Sequence, residues 1–150
     1  MEKIETSIEI HAAAAAIYRA LTTLEGQRGW WTSDCEVGDA VGQESVFRFD
    51  PMGEAHGHME MRFRIDRLDA DRTVAWTCVG QRNNPDWQDT RLTFTLTPSG
   101  GKTRLDLVHS AWRERTVVYD ACVAGWTHFM QSLKAYAETG TGTPHARKSS

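Results

Sequence analysis

The stretch from Arg115 to Thr139 constrains this chain more than any other. Its apolar residues, Tyr119, Cys122/Val123, Trp126, Phe129/Met130, Leu133 and Tyr136/Ala137, recur at steps of three or four. That is the spacing of one helix face. Between them stand Asp120, Thr127, His128, Gln131, Lys134 and Glu138, which suit water. Thr139-Gly140 supplies a stop, because glycine takes the left-handed conformation that commonly closes a helix. About twenty-four residues at ~1.5 Å each make a rod of ~36 Å. A rod that long, with so aromatic a stripe, needs a broad apolar surface to lie on. The rest of the chain has to supply it.

Upstream, strand patterns dominate. Ile4, Thr6, Ile8 and Ile10 alternate with Lys3, Glu5, Ser7, Glu9 and His11, the period of a half-buried strand. Ala12 to Leu24 then reads as helix, with five consecutive alanines and a face of Ile17, Ala20/Leu21 and Leu24. Gly26 to Gly29 is expected to break it, giving one or two short helices before Trp30-Trp31 and a polar loop. From Gln43 onward the pattern has period two. Phe47 and Phe49 flank Arg48, and Asp50-Pro51-Met52-Gly53 reads as a turn. Gly57, Met59, Met61, Phe63 and Ile65 face one way, while His56, His58, Glu60, Arg62, Arg64 and Asp66 face the other. Val74, Trp76 and Cys78 mark the next strand, and a polar loop with Asn83-Asn84-Pro85-Asp86 carries Trp87. Leu92, Phe94 and Leu96 precede the reversal Pro98-Ser99-Gly100-Gly101, and Leu105, Leu107 and His109 return the chain. The expected architecture is α+β. Six antiparallel strands with one wet face are covered by the long final helix, and two short helices follow the first strand.

At 150 residues the chain is long enough to bury a core without covalent staples, and one domain over residues 1–140 is expected. Residues 141–150 hold almost nothing apolar and read as a disordered tail. A net charge of -3 gives no basic field for nucleic acid. No apolar run approaches the ~20 residues of a membrane helix. Cys35, Cys78 and Cys122 are odd in number and unpaired in spacing, which argues against a disulfide framework or zinc ribbon and for a cytoplasmic setting.

Particular residues carry a resemblance. Ile10-His11-Ala12-Ala13 followed by Ile17-Tyr18-Arg19-Ala20-Leu21-Thr22 resembles the opening of the START and birch-pollen-allergen-like (SRPBCC) superfamily. Arg72-Thr73-Val74-Ala75-Trp76, Leu92-Thr93-Phe94-Thr95-Leu96 and Gly101-Lys102-Thr103-Arg104-Leu105 resemble its middle strands. Gly125-Trp126 with Ser132-Leu133-Lys134-Ala135-Tyr136 and Glu138-Thr139-Gly140 resembles the ending of the branch named after activators of the heat shock protein 90 ATPase. Over residues 3 to 140 the resemblance implies a helix-grip fold: a curved sheet wrapped around the long helix, with a cavity between them that in this superfamily often holds an apolar molecule.

Candidate site residues follow from phase. Phe47, Phe49, Met59, Met61, Phe63, Trp76, Cys78, Phe94, Cys122, Trp126, Phe129 and Met130 are expected between sheet and helix. There they either fill a core or line a cavity, and aromatic walls with adaptable methionines suit a variable apolar ligand. Trp30, Trp31, Trp87 and Trp112, on or beside loops, are candidates for the entrance. His109 falls on the inward phase and joins the cavity residues, where it could orient a ligand or act as an acid or base, although a histidine hydrogen-bonded within the core is the commoner outcome; Glu60 reaches the cavity only if a bulge turns it inward. His56 and His58 share a face but lack partners for a metal. Neither a metal nor another cofactor is implied. Three readings remain open at this stage: a carrier or sensor of a small apolar molecule, a cyclase- or hydrolase-like enzyme using the same cavity, and a chaperone ATPase-interacting module. The chain reads as a monomer or, through an exposed strand edge, a homodimer.

Overall fold

A computed structural model describes residues 2–50 and 58–145. In order these form strand β1 (Glu2–Ile10), helices α1 (Ala14–Thr22) and α2 (Leu24–Trp30), strands β2 (Asp34–Glu36), β3 (Glu44–Phe49), β4 (Met59–Asp69), β5 (Thr73–Arg82), β6 (Arg91–Ser99) and β7 (Lys102–Trp112), and helix α3 (Val117–Thr139). The strands make one antiparallel sheet in the order β1-β7-β6-β5-β4-β3-β2. This is the helix-grip architecture with seven strands instead of six. The added one, β2, is three residues long, with Cys35 buried between two acidic neighbours, too short for any alternation to announce it.

Burial along β4 reproduces the sequence phase. Met61, Phe63 and Ile65 are buried, whereas Arg62, Arg64 and Asp66 are exposed. The inner face meets α1, α2 and α3 in a core with Phe47, Phe63, Trp76 and Phe94 at its centre. Trp31 stacks into that group, 4.3 Å from Phe47 and 6.2 Å from Trp76 between ring centroids. On the far edge, α3 satisfies carbonyls of β1. The Tyr119 hydroxyl donates to Lys3 O at 2.7 Å and the Lys134 ammonium to Glu9 O at 2.8 Å. Main-chain acceptors on an edge strand are thereby occupied instead of left open for another strand.

The two glycines after α1 do not break the chain as expected. Thr23 does: it is extended, and its hydroxyl accepts from Gly26 N at 3.0 Å as the cap of α2, which then runs through both glycines. Gly26 is there for proximity, since a Cβ would lie 2.5 Å from Ala20 Cα and the helices could not approach. Gly140, with φ of 87°, closes α3 as its sequence position predicts.

The expected disordered tail also needs correcting where it is described. Thr141 to His145 folds back along the molecule: Thr143 N donates to Ser132 Oγ at 2.8 Å, Ser33 N to His145 O at 2.9 Å and His145 N to Trp31 O at 2.8 Å. Main-chain hydrogen bonds hold this strap, and composition carries no trace of them. Residues 146–150 lie outside the described residues.

On the outer face, Arg48 of β3 gathers three carboxylates: Asp34 at 3.1 Å, Glu36 at 2.6 Å and Glu60 at 2.9 Å. The first two belong to β2, so one guanidinium ties the short edge strand to the sheet. Those bonds hold its pKa above the usual value. Arg48→Ala is expected to cost about 1–2 kcal/mol at low salt, because three like charges then face one another, and less at high salt. Urea unfolding at two ionic strengths measures this, and a loss that does not change with salt would contradict it.

Candidate functional site

Where the straight helix leaves the curved sheet, a pocket of about 600 Å³ opens to solvent. Two strands, a helix and a loop build it. Strands β3 and β4 contribute Phe49, Met59 and Met61, the first half of α3 contributes Val118, Ala121, Cys122, Gly125, Trp126 and Phe129, and the β5–β6 loop contributes Asn83 to Trp87. Trp31 forms part of the inner wall, and Val117, 85% exposed, stands at the rim. The loop is held by its own turn chemistry. Pro85–Trp87 is a single 3₁₀ turn, Asn84 N donates to Gln81 Oε1 at 2.9 Å, and Thr116 Oγ1 donates to Asp86 Oδ2 at 2.5 Å.

Behind the pocket lies a closed hydrogen-bond chain centred on His109, which is fully buried. Trp126 Nε1 donates to its Nδ1 at 3.1 Å. An indole nitrogen only donates, so Nδ1 carries no proton and Nε2 must. Nε2 therefore donates to Thr90 Oγ1 at 3.0 Å, and that hydroxyl passes its own proton on to Trp87 O at 2.7 Å. Trp87 and Trp112 press on the ring, each 4.6 Å between centroids. Burial lowers the His109 pKa to about 3. It is a neutral imidazole with both nitrogens engaged, walled off from the pocket by Trp87 and Trp126, and it has no spare position for a substrate proton. This is the geometry of a histidine hydrogen-bonded within the core and not of an acid or base facing the pocket. Glu60 fails as well: pairing between β4 and β5 slips at Arg62/Phe63 and Ile65/Arg67, yet Glu60 stays on the outer face with Arg48.

Residues 11–138 match the family described as Activator of Hsp90 ATPase homolog 1-like protein. The chain belongs to that family. Its fold is similar to the solution structure of the Aha1 dimer from Colwellia psychrerythraea, at 32% identity and a TM-score of 0.77, over 95% of this chain and 100% of that one. The fold is shared more distantly with a Mesorhizobium loti protein (20% identity, TM-score 0.71, 89% of this chain and 94% of that one). A Chromobacterium violaceum protein shares it too (20% identity, TM-score 0.74, 92% and 99%). No curated protein matches the chain. The family thus rests on both the sequence match and the Colwellia structure, and the helix-grip reading agrees with each.

Within this family member the expected site residues divide. Phe49, Met59, Met61, Cys122, Trp126 and Phe129 line the pocket. Phe47, Phe63, Trp76, Cys78, Phe94 and Met130 are packed behind it in the core. Of the four loop tryptophans, Trp87 and Trp31 reach the pocket wall, whereas Trp30 and Trp112 are interior. Trp30 Nε1 donates to Ala20 O at 2.8 Å and Trp112 Nε1 to His109 O at 3.1 Å. Trp112 is inside because Ala111 takes φ of 65°, a bulge against β1 that reverses the strand's phase. Sequence reasoning missed the polar stretch Asn83–Asp86 and the small residues Ala121 and Gly125. The latter sit at the same three-and-four spacing as Cys122 and Phe129, and that was the available signal.

Cys122 Sγ accepts from Trp87 Nε1 at 3.2 Å, and burial pushes its thiol up to about 11. Cys35 and Cys78 are likewise pushed up to about 11 by burial, so none of the three offers a thiolate at neutral pH. His58 lies 3.5 Å from the Asp50 carboxylate, and His56 lies outside the described residues. Among the described residues no three His, Cys, Asp or Glu side chains converge as a metal site. No helix among them is long and apolar enough to cross a membrane.

Proposed function

We propose that this protein binds a small apolar molecule in the pocket between α3, the β3–β4 strands and the β5–β6 loop, as a carrier or sensor. One observation carries the reading. A hollow of about 600 Å³, walled by Met59, Met61, Phe129 and three tryptophans, lies within the roughly 300–1,000 Å³ of small-molecule sites. Methionine and aromatic walls adapt to shape without demanding hydrogen bonds. The two bases that sequence offered for an enzyme do not face this space. Residues of one copy of the chain line the pocket, and a homodimer is extended to this chain from the Colwellia relative.

The test is titration of the full chain with a neutral fluorescent probe, N-phenylnaphthylamine. Saturable binding near one site per chain is expected, with tryptophan emission quenched because Trp87 and Trp126 line the wall. Met61→Asp is expected to abolish it, since the carboxylate would have to be desolvated or would repel the probe. A broad set of neutral apolar compounds that all fail to bind would overturn the reading.

A further inference from the structure

We propose that the preferred occupant carries a positively charged amine at one end of its apolar body, and that Asp86 selects it. This rests on the apolar-ligand reading and refines it. Among the described residues lining the pocket, Asp86 is the one acidic side chain, and no lysine, arginine or histidine stands in the wall. Its Oδ2 accepts from the Thr116 hydroxyl, a neutral donor, and no cation pairs with it among the described residues.

The polar atoms around it are compatible with the same chemistry. Asn83 Nδ2 donates to His58 O at 2.8 Å, and Asn84 Nδ2 lies 3.5 Å from Met61 Sδ. The indole N–H groups of Trp87 and Trp126 are spent on Cys122 and His109. Each of these amides keeps one further N–H and its oxygen, so Asn83 and Asn84 can meet either kind of partner, whereas the Asp86 carboxylate, in the same wall, can only accept. A carboxylate at the edge of an apolar hollow gives the site a negative potential, which draws an ammonium and repels an anion.

Asp86 also has a structural job. Thr116 caps α3, its Oγ1 accepting from Tyr119 N at 3.4 Å, and Asp86 orients that hydroxyl. Asparagine can accept the same hydrogen bond without the charge, so Asp86→Asn separates the two roles.

Phenylbutylamine, phenylbutanol and phenylpentanoate share one apolar body, a phenyl ring on four methylenes, and differ in the head. Titrated into the full chain at neutral pH and low salt, with tryptophan quenching as the readout, they are expected to bind in that order. The amine should exceed the carboxylate by about tenfold or more, ~1.4 kcal/mol. Asp86→Asn should erase most of the advantage of amine over alcohol, since the asparagine oxygen still accepts a hydrogen bond from either head but no longer attracts the ammonium by charge. On the unmodified chain, salt near ~1 M, where the screening length is ~3 Å, should narrow the gap between amine and carboxylate. That series decides the matter if Asp86→Asn does not fold. Equal binding of amine and carboxylate, or a gap indifferent to salt or to Asp86→Asn, overturns the charge inference while the alcohol's binding upholds the apolar reading. Failure of all three compounds overturns both.

Discussion

His109→Ala is expected to lower the unfolding free energy by about 3–5 kcal/mol, the largest loss from any single substitution considered. Three costs add at one place. The imidazole leaves a hole between Trp87, Trp112 and Trp126, the Trp126 N–H loses its acceptor in the interior, and the Thr90 hydroxyl loses the donor it faced. His109→Gln, which keeps a donor and an acceptor on one side chain, is expected to recover part of the loss. The same residue makes the fold acid-sensitive. Its folded pKa, about 3, lies below the ordinary 6.5, so the folded chain resists a proton that the unfolded chain accepts. The stabilisation is complete above the unfolded value and is lost as pH falls from there toward the folded one, at up to ~1.4 kcal/mol per pH unit. Denaturant midpoints measured across that window should fall more steeply for the native chain than for His109→Gln. Equal slopes, or a His109→Ala midpoint close to native, would show that the imidazole is not the closed neutral link described.

Gly125→Leu is expected to move stability and binding in opposite directions. Gly125 lies in the interior of α3, where glycine costs ~0.5–1 kcal/mol relative to alanine. A Cβ placed there meets nothing within 4 Å, so a side chain can be added without strain. What it enters is the pocket. Leucine should therefore raise the melting temperature by a few degrees and weaken the binding of neutral apolar probes by about tenfold or more, ~1.4 kcal/mol. Gly125→Ala should show the same stabilisation with a smaller loss of binding. A leucine variant that binds as the native chain does would place the ligand elsewhere, whatever its stability.

The gap at Gly125 shows where residue-by-residue reading stops. From spacing alone α3 has one apolar stripe, and every member of it is a candidate wall. In the folded chain the helix has two adjoining faces. Tyr119, Trp126, Met130 and Leu133 are buried against sheet and helices, while Val118, Ala121, Cys122, Gly125 and Phe129 look into open space, and only Trp126 serves both. Small residues on the second face leave the space unfilled. A pattern that scores hydrophobicity passes over them, because a glycine in a helix carries meaning only once its neighbours are known.

Loop tryptophans pose a similar problem. Trp30, Trp31, Trp87 and Trp112 all sit near element ends, yet their fates differ with local backbone. A left-handed Ala111 turns Trp112 inward, and the end of α2 delivers Trp30 and Trp31 into the core with their rings stacked 5.6 Å apart. A one-residue change of phase moves such a side chain from one face of a strand to the other, and no periodicity announces it.

Read alone, the sequence determined the order and type of the main elements, the inward phase of the strands, the rod at the end and the family. Each is written in local repeats of two or of three-to-four, or in motifs close in the chain. Tertiary structure alone decided which of those inward residues face a hollow and which face one another. It also decided that His109 is sealed within a chain of tryptophan and threonine, and that Asp86 stands in the pocket wall with no cation paired to it among the described residues. Those properties depend on distances between segments tens of residues apart, where a straight helix departs from a bent sheet, and a linear pattern holds no record of that separation.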